Sequence, residues 1–281
     1  MKKILVAGAT GYLGRYLLKE LLSQGYETTA LVRNTKKLEG ESVDHILQAE
    51  VTKPETLKGK FDGIDLLIST IGITRQKDGL TYMDVDYQAN INLLEEAKSA
   101  GVQKLIYVSL LNGANLRCLK MVEAKEKFVD VLKSSEVDYT IIRPNGIFSD
   151  MTEILKMAQK GTVNLFGDGK YKMNPVHVAD LAEVCVDAIE SIEKTIEVGG
   201  PELFTHNDIA ELAFNVVNKK PRIKYMPEWM RKMILGLTRI FTSSKTYGPM
   251  EFFFTVLAMD MIAPKYGTHK LSKYYAEMKS K

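Results

Sequence analysis

The chain opens on an apolar run, Lys3-Ile4-Leu5-Val6-Ala7, that meets three glycines at three-residue spacing: Gly8, Gly11 and Gly14. Behind them Leu13, Leu17, Leu18, Leu21 and Leu22 fall on one helical stripe, so the pattern reads strand, tight turn, helix. In a dinucleotide site a first glycine lets the chain turn and a middle one lets bare backbone N–H groups approach a diphosphate. A third lets the helix close on the strand. The phosphates then meet the positive end of the helix. A glycine triplet alone also suits an ordinary strand-to-helix turn; here the flanking strand and helix supply the context that the nucleotide reading requires. The candidate cofactor contacts of this stretch are Gly8, Thr10, Gly11, Tyr12, Leu13 and Gly14.

Gly25 ends the first helix, and Glu27 to Val32 reads as a second strand that stops at Arg33. A carboxylate at that position would bind a ribose 2′-hydroxyl and repel a 2′-phosphate, whereas a guanidinium welcomes the phosphate. With Lys36 and Lys37 beyond it, Arg33 argues for NADP(H) as the preferred cofactor, with NAD(H) second; the competing reading is a solvated basic loop. His45 to Gln48 is the expected third strand. Asp65 to Gly72 is the fourth, ending in Ser69, Thr70, Ile71 and Gly72, mostly small residues that leave room for a cofactor ribose. A helix is predicted from Met83 to Ala100. The fifth strand, Gln103 to Val108, delivers Ser109 at its carboxyl end, where ligands bind in open parallel sheets. Another helix, Lys120 to Ser134, leads to a sixth strand, Asp138 to Ile142, and then to Arg143-Pro144-Asn145-Gly146-Ile147-Phe148.

This alternation predicts an α/β fold: a Rossmann-type doubly wound parallel sheet with a smaller carboxyl-terminal substrate lobe. Residues 1–150 form the expected NAD(P)-binding domain and 151–281 the lobe, with part of 174–200 returning to the sheet. In the lobe Thr205 and Asp208 have the spacing of a helix capping pair, and Arg222 to Met226 suits a short strand.

A net charge of +3 with acids and bases mixed throughout predicts no nucleic-acid partner. Two isolated cysteines, Cys118 and Cys185, make neither a disulfide framework nor a metal knuckle and suit a reducing cytoplasm. The four histidines lack metal-ligand spacing, so no metal is expected. There is no P-loop and no Gly-x-Ser-x-Gly elbow, which argues against an NTPase and a hydrolase. The first residues run straight into a strand without an apolar signal segment, and the most hydrophobic stretch, Phe252 to Met259, is too short to span a bilayer.

From Gly8 to about Gly200 the chain resembles an atypical short-chain dehydrogenase/reductase of the NmrA-like kind. The likeness rests on the three glycines, Leu31-Val32-Arg33, Tyr107-Val108-Ser109, Lys125, Arg143-Pro144-Asn145-Gly146 and Pro175-Val176-His177-Val178-Ala179-Asp180. The carboxyl half is similar to the divinyl chlorophyllide 8-vinyl reductases in Phe166-Gly167-Asp168-Gly169-Lys170, Val198-Gly199-Gly200-Pro201, Lys220-Pro221-Arg222 and Lys265-Tyr266-Gly267-Thr268-His269-Lys270-Leu271. The resemblance implies Glu50 and Val51 beside the adenine, Lys125 at the nicotinamide ribose, and Pro144, Asn145, Gly146 and Ile147 at the nicotinamide amide, where a backbone N–H can orient the ring.

One departure stands against these agreements. Most of the superfamily carries Tyr-x-x-x-Lys, the lysine lowering the phenol pKa for acid or base work, and this chain has Met121-Val122-Glu123-Ala124-Lys125. A thioether donates no proton. Two readings therefore remain open. In one, hydride passes to an apolar small-molecule acceptor, such as one with an activated C=C, with Lys125 and Ser109 as the catalytic candidates. In the other, the chain is a catalytically silent NAD(P)-binding regulatory or assembly protein. Ser109 suits a hydrogen bond to substrate or ribose as well as it suits a strand end. His177 reads as a satisfied core residue or a pocket contact.

The segment 227–262 is rich in Met, Phe and Leu, and a helix beginning at Pro227 carries Trp229, Met233, Leu237 and Phe241 on one side, with Arg231, Lys232 and Arg239 elsewhere. It is expected to form a lid and wall for a large apolar substrate, or a subunit contact; docking on a membrane surface is the alternative. Monomer and homodimer both stay open.

Overall fold

The computed structural model describes residues 1–74, 76, 79–241 and 244–279. Strands and helices alternate from the amino terminus: β1 (Lys3–Ala7), α1 (Tyr12–Ser23), β2 (Glu27–Val32), β3 (His45–Gln48), β4 (Leu66–Ser69), α2 (Ala89–Ser99), β5 (Lys104–Val108), α3 (Lys120–Ser134) and β6 (Asp138–Pro144). Then follow α4 (Thr152–Gln159), β7 (Val163–Phe166), β8 (Lys172–Met173), α5 (Val178–Asp187), β9 (Thr195–Val198), β10 (Phe204–Thr205) and α6 (His206–Val216). The chain continues through β11 (Ile223–Met226), α7 (Glu228–Phe241), α8 (Ser244–Val256) and α9 (Leu271–Lys279).

Seven strands form one sheet in the order β3-β2-β1-β4-β5-β6-β9. Each pairing from β3 to β6 is parallel. Hydrogen bonds from Ile141 N–H to the Lys194 carbonyl and from Asn145 N–H to the Val198 carbonyl, both reaching the same number of residues ahead, set β9 parallel to β6. Parallel strands need helical crossovers, and those helices cover the faces of the sheet. The central strands are accordingly apolar on both sides: Ile4, Leu5, Val6, Leu67, Ile68, Leu105 and Ile106 are all fully buried.

The chain divides into two compact units, Met1–Arg143 with Leu181–Ile196, and Pro144–Asp180 with Glu197–Lys281. In the second, β7 pairs with β11 in parallel and β8 with β10 antiparallel. Buried Asn174 ties its loops together, with Nδ2 donating to the Ala263 carbonyl (2.8 Å) and Oδ1 accepting from Ala263 N–H (3.0 Å) and Asn145 Nδ2 (2.9 Å). The expected capping pair forms at α6, where Thr205 Oγ1 accepts from Asp208 N–H (3.1 Å) and Asp208 Oδ2 accepts from Thr205 N–H (2.7 Å).

One element departs from its expectation. The helix predicted over 83–100 begins as a π-helix, Met83–Gln88, before tightening into α2. The cause sits in the ladder: Asn90 Nδ2 donates to the carbonyls of Asp86 (3.0 Å) and Val85 (3.4 Å), and its Oδ1 accepts from Ser69 Oγ (2.6 Å). A side-chain amide competing for these carbonyls favours the wider turn, and single π turns recur at functional sites.

Candidate functional site

Strand order reverses between β1 and β4, the place where open α/β sheets bind ligands outside their carboxyl ends. Gly8 follows β1 with φ +88°, in the left-handed region, and a Cβ there would collide with Thr70 Oγ1 at the end of β4. Thr70 is fixed by its N–H, which donates to the Ala7 carbonyl at 3.0 Å. A Cβ on Gly14 would collide with the Gly8 carbonyl oxygen, so only glycine lets α1 approach β1 this closely. Gly11 is the N-cap of α1 and provides no side-chain cap, and the first turn holds no acidic residue. The positive end of a twelve-residue helix therefore opens, uncompensated by any side-chain carboxylate of its own, at the switch point of the sheet.

The remaining expected contacts of the first unit line the same edge of the sheet. Arg33 lies just past β2, its side chain 57% exposed and its Nη1 3.9 Å from Glu50 Oε1. Glu50 is held below the usual carboxylate range, chiefly by its hydrogen bond with Lys53, against the opposing pull of desolvation. Val51 follows, half-buried, and Asn92 Nδ2 donates to its carbonyl. Ser69 is buried against Asn90, Ile71 is half-buried, and Gly72 is backed by charge: a Cβ on it would stand 2.6 Å from both Lys125 Nζ and Asp86 Oδ1.

That charge is a buried pair. Lys125 Nζ lies 3.0 Å from Asp86 Oδ1, with the Asp86 side chain fully buried and that of Lys125 13% exposed. Burial pushes the Asp86 carboxyl up, against the pull of Lys125. For Lys125, burial is outweighed by Tyr107 and Asp86, which hold the ammonium above the ordinary lysine range, so it stays charged at neutral pH. Tyr107 lies under it, ring centroid 5.5 Å from Nζ, fully buried and pushed up to about 12 by burial. A phenol sealed in this way cannot reach a substrate and does not replace the tyrosine of Tyr-x-x-x-Lys. Met121, four residues before Lys125, is buried near the start of α3.

Ser109 lies next to a second buried pair. Arg143 donates to both carboxylate oxygens of Glu126, at 2.7 and 2.9 Å, and to the Leu110 carbonyl at 3.0 Å. Ser109 Oγ donates to Glu126 Oε1 at 3.0 Å and is 6% exposed. Its hydroxyl therefore completes the solvation of a buried carboxylate. Such a pair is tolerated inside because the two charges meet in a bidentate contact and further hydrogen bonds reach both groups.

Pro144, Asn145, Gly146 and Ile147 begin the second unit. Asn145 is buried, with Nδ2 donating to Asn174 Oδ1 and to the Met261 carbonyl. The main-chain N–H of Asn145 is taken by Val198, that of Gly146 by Asn145 Oδ1 and that of Ile147 by Asp150 Oδ2, while proline has none. An orienting hydrogen bond to a nicotinamide amide from an N–H of this turn would have to displace one of these. His177 is half-buried, stacked on His269 at 4.1 Å and edge-on to Phe148 at 5.4 Å. His269 Nδ1 in turn pairs with buried Asp180 at 2.6 Å.

Sequence reasoning gave no role of its own to Asp86, Tyr107 or Glu126. Glu126 carried a signal: with Val122 and Val129 it occupies one stripe of α3, and a carboxylate inside an apolar stripe demands a buried partner.

The family model described as NAD(P)H-binding matches residues 8–191. Among curated proteins, the photosystem II assembly factor Ycf39 of Guillardia theta is 29% identical over 245 residues, covering 85% of this chain and 77% of that protein. The divinyl chlorophyllide a 8-vinyl-reductase of Arabidopsis thaliana is 23% identical, covering 96% and 72%. Among solved structures, an NADPH-dependent quinone oxidoreductase from Escherichia coli, complexed with NADPH, aligns with a TM-score of 0.73 at 19% identity, covering 98% of this chain and 99% of that one. The family match covers well over half of the chain, and the chain belongs to the NAD(P)H-binding family.

Proposed function

We propose that the chain is an NADPH-dependent reductase that passes a hydride to an apolar small-molecule acceptor, such as one with an activated C=C. The observation that carries this reading is the glycine-cleared, uncapped N-terminus of α1 at the β1/β4 switch point, which fits a diphosphate. NADPH, when bound, supplies the hydride. Backbone groups of Gly8, Thr10, Gly11, Tyr12, Leu13 and Gly14 hold the diphosphate, and Arg33 meets the 2′-phosphate while Glu50 and Val51 border the adenine. Ser69, Thr70, Ile71 and Gly72 leave the space for the ribose. Lys125, kept charged by Asp86, offers its ammonium to the ribose hydroxyls beside Gly72, where the absence of a side chain gives access. The family resemblance would assign Pro144, Asn145, Gly146 and Ile147 to the nicotinamide. In this reading Ser109 is a positioning residue that acts through Glu126, and the proton comes from the acceptor's own groups or water. The free thiols Cys118 and Cys185 suit a reducing cytoplasm as the working compartment.

A second reading, nucleotide binding without turnover, is favoured by one observation: the two groups best placed by sequence for chemistry, Ser109 and Lys125, are each bound to a buried carboxylate. Calorimetry with NADPH and NADH, followed by NADPH consumption over quinones and conjugated alkenes, separates the two. Turnover with at least one acceptor, slowed at least about tenfold by Lys125→Ala, supports the reductase. Tight binding with no turnover across the panel transfers the case to the silent reading. Absence of heat with either nucleotide, or full binding by Gly11→Val, removes both.

A further inference from the structure

Helix α7 turns its apolar side outward. Trp229, Met233, Leu237 and Phe241 recur every four residues and are 61, 47, 48 and 78% exposed. On the far side of the helix Arg231 ties it to α8. Arg231 donates from Nη1 to the Phe254 carbonyl of α8 at 3.2 Å and from Nε to Glu228 at 2.9 Å, and its side chain is only 13% exposed. Thr238, on that same side, donates to the Ile234 carbonyl at 2.8 Å. At a rise of about 1.5 Å per residue the four apolar side chains form a line about 18 Å long. An apolar line of that length left in water marks a surface that something covers.

Charge indicates what covers it. Lys232 and Arg239 are exposed beside the stripe, and the guanidinium of Arg239 lies over the Tyr247 ring at 5.9 Å. The stretch 219–239 holds seven Lys and Arg against one acid, Glu228, a net +6 in a chain whose total is +3. The rest of the chain is therefore net acidic, and the stretch that contains α7 carries the positive excess, with Lys232 and Arg239 its exposed cations on the helix itself.

We propose that α7 lies in the plane of an anionic lipid surface, its stripe at the acyl boundary and Lys232 and Arg239 among the headgroup phosphates. Basic side chains suit this place because their stems lie along apolar surface while their heads stay in water. The helix has fourteen residues, and among the described residues no helix is long and apolar enough to cross a membrane, so contact is along the surface. A second copy fits less well, since a two-fold contact through this face would set one strongly basic stretch against its twin. A lid would turn its apolar side inward, the reverse of what is observed.

The proposal stands apart from the reductase reading, and the protein has its own reporter, since Trp229 is the single tryptophan of the chain. The full chain is titrated with phosphatidylcholine vesicles with and without phosphatidylglycerol, following Trp229 emission and flotation. The expected result is a blue shift and flotation with phosphatidylglycerol only, both reduced by salt. The double variant Met233→Gln with Leu237→Gln loses both, and Lys232→Gln with Arg239→Gln weakens partition about thirtyfold. Circular dichroism verifies the fold of each variant, so a failure of nucleotide binding leaves this test intact. No shift and no flotation with anionic vesicles overturns the proposal, as does an equal response to neutral ones. A lipid-free blue shift that grows with protein concentration overturns it in favour of a second copy; one produced by an apolar acceptor overturns it in favour of a lid.

Discussion

Helices α1 and α7 carry apolar stripes of similar period and meet water on opposite terms. In α1, Leu17, Leu18 and Leu21 are fully buried and Leu13 and Leu22 half-buried, and the open feature is the polar end of the helix. In α7 the stripe is the open feature, and a guanidinium packs inward. A helical period shows that a stripe exists; it does not show what covers it. The contrast extends to charge. The sheet unit takes the Glu126–Arg143 and Asp86–Lys125 pairs inside, whereas the basic residues beside the α7 stripe, Lys232 and Arg239, remain exposed.

If the contrast is right, substitutions of buried groups in the sheet unit reduce stability and those on the exposed α7 stripe do not. The largest effect belongs to Glu126→Ala, which strands Arg143 without its carboxylate and is expected to destabilise by about 3–5 kcal/mol in urea unfolding. A loss under about 1 kcal/mol would mean that water reaches the pair. Leu17→Ala on the covered stripe follows, at about 3 kcal/mol from lost transfer energy and a cavity. Arg33→Ala should leave folding alone and weaken NADPH about tenfold, one charge-assisted contact, while NADH titrates almost unchanged; equal losses would end the case for a phosphate contact.

A smaller effect comes with acid. Burial holds His177 and His206 below the ordinary imidazole range, with the neighbouring His269 adding to it at His177. The unfolded chain thus binds those protons first, so this contribution is whole above about pH 6.5 and declines as pH falls below it. Thermal scans of wild type and His206→Gln should converge as the pH is lowered. Least of all, Leu237→Ala, the same substitution as in α1 but on the exposed stripe, should change stability by no more than about 0.5 kcal/mol. A loss near that of Leu17→Ala would show that the α7 stripe is covered within the chain.

Much of the fold was legible because the responsible forces act over a few residues. The bounds of α3 agree with the apolar period of Lys120 to Ser134, and the Thr205–Asp208 cap forms where its spacing indicates. The start of α2 was not legible, because its π turn depends on Asn90 reaching Ser69 on a strand far back in the chain. The candidate site divides in the same way. The glycines could be read off, since each answers to a local steric demand, with Gly14 close to the Gly8 carbonyl. What Ser109 and Lys125 do with their polar atoms could not, since Glu126 and Asp86 become their partners only after the helices pack on the sheet.

By itself the sequence determined the alternation of strand and helix, and with it the parallel sheet and the open turn at Gly8, because hydrophobic period and backbone freedom are local properties. Only the tertiary structure decided which charges are buried in pairs and which apolar stripe is left in water. Burial is a property of the space between elements, and that space exists only once they have come together.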